Sequence, residues 1–62
     1  MNVYPKEFIE QNEVKDQMFR DKRERDTLAR QLRKEGWQVE CKKYFFEGDE
    51  RFAVFATRRR EG

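Results

Sequence analysis

A chain of 62 residues, 45% of them charged and only 35% apolar, can build no more than a small core, and at this length about 60% of the unfolded surface is buried on folding. One cysteine excludes an internal disulfide, and the complete lack of histidine leaves no zinc or iron spacing, so neither staple offsets the roughly 1.5 kcal/mol per residue of ordering entropy. A protein that coats DNA normally carries a stronger basic excess than the net charge of +2, although a local basic strip on a near-neutral domain can still bind nucleic acid.

From residue 1 to residue 11, Val3, Tyr4, Phe8 and Ile9 make two apolar pairs around Pro5, with too short a period to assign. This arm is expected to be loosely ordered, or to pack as a short strand or helical turn. No basic start or long apolar run marks it as a secretory signal.

Residues 12–35 read as one charged helix. Val14, Met18, Leu28, Ala29 and Leu32 fall on one stripe, Asn12 suits the N-cap, and good helix formers dominate. The stripe passes through seven consecutive charges, Arg20 to Asp26, which must be solvated. Pairs at i,i+4 (Asp16 with Arg20, Asp21 with Arg25, Asp26 with Arg30) would lace that stretch. A break near Asp21 or Asp26, capping a second and shorter helix, is the alternative. The helix end is sharply marked: Arg33 and Lys34 sit in the last turn and Gly36 suits the left-handed C′ position. Leu32 and Trp37 then occupy the two positions that touch in a Schellman ending, which folds Trp37 back over Leu32.

After Gly36 the period changes to two. Strands are expected over 37–46 and 51–59, joined by Glu47-Gly48-Asp49-Glu50 as a four-residue loop, because a two-residue Gly48-Asp49 turn would set Glu47 opposite Glu50. This register places Phe45 opposite Phe52, Lys43 opposite Val54, Cys41 opposite Ala56 and Tyr44 opposite Ala53. One face then carries Trp37, Val39, Cys41, Phe45, Phe52, Val54 and Ala56 and receives the helix. The fold class is therefore α+β, a long charged helix followed by an antiparallel hairpin packed on it, in one domain spanning 1–62.

Enzyme chemistry is not expected. There is no serine and no histidine, so the usual triads are excluded, and Cys41 falls mid-strand on the core-facing set, where it reads as a buried structural residue. The carboxylates are neighbours on a charged helix or in a turn. The three glycines are a helix stop, a turn and the last residue, not a phosphate-cradling loop. No cofactor, metal or small-molecule substrate is expected. The longest apolar runs, 44–46 and 52–56, fall far short of the roughly 20 residues that span a bilayer, and a lone thiol suits a reducing, cytoplasmic setting.

The informative feature is the other sheet face. It carries Lys42, Tyr44, Phe46, Arg51, Phe55 and Arg59, aromatics interleaved with bases where a hairpin under one helix would ordinarily be polar. Self-association into a homodimer, or docking of another protein, is the first reading of these binding residues. The arm folding back over them is the second. Single-stranded RNA or DNA stacking on the aromatics is the third, opposed by Glu40, Glu47, Asp49, Glu50 and Glu61 on the same hairpin. The Arg58-Arg59-Arg60 run reads as a solvated tail, and Lys22, Arg23, Arg25, Arg30, Arg33 and Lys34 as a solvated helix face. The succession of helix, glycine, aromatic and strand in Leu32, Gly36, Trp37 and Val39 is similar to that of several small folds, including toxin and regulator domains that bind RNA or proteins. It singles out no family, and RNA-cleaving toxins of that shape use the histidine this chain lacks.

Overall fold

A computed structural model of the chain describes residues 4–60. The order of elements is α1 (Lys6–Gln11), β1 (Asn12–Phe19), α2 (Lys22–Lys34), β2 (Gln38–Phe46) and β3 (Asp49–Arg59). The protein is α+β, with a three-stranded antiparallel sheet in the order β1-β3-β2 and helices beside it. Both outer strands run antiparallel to β3, so β1 and β2 are parallel to each other with β3 inserted between them.

The expected helix over 12–35 is corrected in its first third. Residues 12–19 are a strand, and the helix is confined to Lys22–Lys34. Val14 and Met18 are four apart, a spacing that serves one face of a helix and one face of a strand equally well. Tertiary pairing decides between them. β3 contains Phe52, Ala53, Val54, Phe55 and Ala56, apolar on both faces, and such a strand is central rather than marginal. β1 fills its second edge, from Asn12 opposite Arg59 to Phe19 opposite Phe52. The alternative break near Asp21 is where the helix starts: the Asp21 carboxylate accepts a 2.8 Å hydrogen bond from the Arg23 N–H.

The expected i,i+4 pairs give way to other partners: Asp21 caps α2 through the Arg23 N–H, and Asp26, although on α2 with Arg30, turns to its neighbour. Asp16 lies on β1, and Asp26 accepts from its neighbour Arg25 at 3.0 Å. Asn12 closes a helix instead of opening one, donating its side-chain amide to the Phe8 carbonyl at 3.0 Å at the end of α1. Within the arm, 6–11 takes the helical-turn option, while Val3 lies outside the described residues.

The end of α2 follows the expected Schellman geometry. Trp37 N–H donates to the Leu32 carbonyl at 3.0 Å, Gly36 N–H donates to the Arg33 carbonyl at 3.1 Å, and Gly36 has φ +92°. The hairpin register differs from the expected one by two residues. The turn is Glu47-Gly48 alone, with φ of 51° and 82°, as a type I′ turn requires. Phe46 therefore faces Asp49, Phe45 faces Glu50, Tyr44 faces Arg51, Lys43 faces Phe52 and Cys41 faces Val54. With Glu47 inside the turn, the like-charge clash with Glu50 does not arise. A slip of two residues, unlike a slip of one, leaves every side chain on its expected face.

The core forms where α2 meets the sheet: Ala29, Leu32, Trp37, Val54 and Ala56, with Phe19, Leu28 and Val39 packed against them. Two expectations fail at its margin. Cys41 and Phe45 share the helix-side face, yet both are exposed, Phe45 to 69%. The 13 residues of α2 span about 20 Å whereas the 11 of β3 span about 36 Å, so the hairpin tip with Phe45 overhangs the helix, while Cys41, opposite the buried Val54, is exposed on edge strand β2. Arg25 errs the other way, since it is buried rather than solvated. Its Nη1 donates to the Lys42 carbonyl at 3.0 Å and its guanidinium lies 5.3 Å from the Phe52 ring centre.

Candidate interaction surface on the open sheet face

Alternation along the three strands sends one set of side chains away from α2. Read across the sheet, Asp16, Phe55 and Glu40 form one row, and Met18, Ala53 and Lys42 form the next. Arg51 beside Tyr44 and Asp49 beside Phe46 continue toward the hairpin tip. In the other direction come Val14, Thr57 and Gln38, then Asn12 beside Arg59.

Lys42, Tyr44 and Phe55 meet at the centre of this face. The Tyr44 ring is edge-on to Phe55 at 6.5 Å and 85°, and Lys42 Nζ lies 5.8 Å from the Phe55 centroid and 4.0 Å from a Glu40 carboxylate oxygen. Arg51 stands beside Tyr44, its guanidinium donating to the Glu50 carbonyl at 3.0 Å and lying 4.0 Å from Asp49. Phe46 projects at the tip and is 59% exposed. Arg59 is ten positions along β3 from Asp49, about 33 Å away, and does not join the cluster.

Ala53 contributes only a methyl group at the middle of the central strand, leaving a hollow of about 620 Å³. Met18, Phe55, Lys42, Tyr44, Asp16, Glu40 and Tyr4 line it. The sequence pattern does not reveal Asp16 and Met18 as part of this face, because 12–19 reads as helix. The signal that could have found them is the unbroken apolar run 52–56, too apolar for an edge strand. The arm also reaches this side. Tyr4 and Phe8 stack at 5.0 Å and 12°, and both line a second hollow with Gln38, Glu40, Phe55 and Thr57.

The electrostatics of the face are mixed: Asp16, Glu40 and Asp49 accompany Lys42, Arg51 and Arg59. The terminal arginine run is largely committed elsewhere. Arg58 donates from Nε and Nη2 to one carboxylate oxygen, Glu13 Oε2, at 3.0 and 2.6 Å, and Arg60 donates its Nε to the Ile9 carbonyl at 3.2 Å. Behind the sheet, Lys15 Nζ and the Arg58 guanidinium lie 4.8 and 4.5 Å from the centre of the Trp37 ring, binding β1 and β3 to the end of α2. No group of three or more His, Cys, Asp or Glu side chains among the described residues is placed to hold a metal ion. Nor is any helix among them long and apolar enough to cross a membrane. Comparison of the chain with protein-family models, with curated proteins and with solved structures finds no match.

Proposed function

We propose that the protein is a non-enzymatic protein-interaction or regulatory module that acts as a homodimer through the open face of its sheet. One observation carries this reading. Met18, Tyr44 and Phe46, exposed to 52%, 40% and 59%, lie on the same side as Phe55, on the face that α2 does not cover. Apolar surface gathered in one patch and interleaved with both signs of charge favours a protein partner. A second copy relieves the shortage of core that limits so short a chain.

The rival use of the face, stacking single-stranded nucleic acid on Tyr44, Phe46 and Phe55, draws support from Lys42 and Arg51 on either side of Tyr44. It is opposed by Asp16 and Glu40, which flank Phe55 and repel a phosphate chain. Sedimentation equilibrium over a range of micromolar concentrations separates the two readings. The expected result is a monomer–dimer equilibrium. A monomer at every concentration, together with salt-sensitive retention of single-stranded RNA, would transfer the assignment to the rival.

A further inference from the structure

We propose that two copies stack open face to open face about a two-fold axis that lies across the strands, between the Glu40 row and the Lys42 row. The inference rests on the dimer reading above and specifies its contacts. Aligned sheets pack at a modest angle with their inner side chains interdigitated, so rows of one copy lie over rows of the other. An axis along β3 would set Asp16 against Glu40 of the second copy, and an axis through the Lys42 row would set Lys42 on Lys42; both juxtapose like charges. An axis between the two rows sets Lys42 of each copy against Glu40 of the other.

The same operation satisfies the shape of the surface. It carries the Phe55 ring of each copy over Ala53 of the other, into the hollow of about 620 Å³ that Ala53 lines. Large side chain meets small one reciprocally, as an isologous interface demands. On β3 it also brings Asp49 toward Arg59 of the second copy. The same operation sets the copy's Tyr44 over the Gln38–Thr57 row, where it meets the stacked Tyr4 and Phe8 rings within the overlap.

A charge swap tests the arrangement. Lys42 and Glu40 side chains are 53% and 74% exposed, so both tolerate substitution without loss of the fold, which far-ultraviolet circular dichroism verifies. Lys42→Glu alone and Glu40→Lys alone each make two repulsive contacts per dimer and weaken dimerisation by about tenfold or more. The double variant restores attraction at both contacts and returns the dissociation constant to within about threefold of the wild type. A wild-type dimer that is indifferent to the single changes, or whose loss in the single variants the double variant fails to restore, overturns this packing while leaving a dimer of another geometry. A wild-type monomer overturns both.

Discussion

Arg25 joins the helix to the sheet edge. It sits among seven consecutive charged residues, yet it is the one that turns inward, because its position on α2 faces Phe52 and the carbonyl of Lys42 on edge strand β2. A planar guanidinium suits this position because it covers an aromatic ring while donating in plane to a carbonyl, which an ammonium cannot do. Arg25→Ala is expected to lower stability by about 1–3 kcal/mol in a urea titration, through lost packing and lost hydrogen bonds together. A loss below about 0.5 kcal/mol would show that the clamp contributes nothing measurable. The neighbouring charges give no hint of this role in the sequence, since an arginine on a helix becomes distinctive only once a strand edge lies against it. Trp37 is a contrasting case. Its Nε1–H is buried without a hydrogen-bond partner, while its ring faces are occupied by Lys15 and Arg58.

Among the elements, the two turns that enter and leave regular structure are the most informative. Asp21 caps α2, so Asp21→Ala should destabilise the fold by about 1 kcal/mol. Were residues 12–35 one continuous helix, the same change would be neutral or favourable, because alanine is the better interior residue. Thermal unfolding thus reports the break through the sign of the shift. The hairpin turn offers a change in the opposite direction. Glu47 holds φ +51°, a region that costs a side chain with a Cβ about 1 kcal/mol, and Asn-Gly is the preferred pair for a type I′ turn. Glu47→Asn should therefore raise stability by about 0.5–1 kcal/mol in the same assay. The like-charge objection that favours a four-residue loop applies only to a two-residue turn at Gly48-Asp49. The turn one residue earlier removes that objection and leaves Lys43 Nζ 4.0 Å from a Glu50 carboxylate oxygen.

For the molecule as a whole, the decisive fact is that a 13-residue helix covers part of one face of an 11-residue central strand. That leaves the overhanging hairpin tip and the part of the opposite face beyond Tyr4 and Phe8 for other contacts. Cys41 reports on which of these surfaces a dimer uses. It is exposed on edge strand β2 and points to the helix side, so a bulky maleimide is expected to label it stoichiometrically in the folded protein and to leave a face-to-face dimer intact. Labelling that dissociates the dimer would point instead to pairing of β2 edges. Slow labelling that needs denaturant would return Cys41 to the buried role its strand parity first suggested.

The elements legible along the chain are those whose signals are local: the end of α2 at Gly36, the fold-back of Trp37 over Leu32, the existence of the hairpin and the face to which each of its side chains points. Those follow from backbone chirality and a period of two, which neighbouring residues alone enforce. Packing settles the fate of residues 12–19, whose glutamate, lysine and glutamine favour a helix in isolation but complete the second edge of a strand too apolar to stand at a margin. It also places Arg25 inside and Cys41 outside, because both depend on how far a short helix reaches across a longer sheet. That reach is a property of packed elements, and no window along the chain contains it.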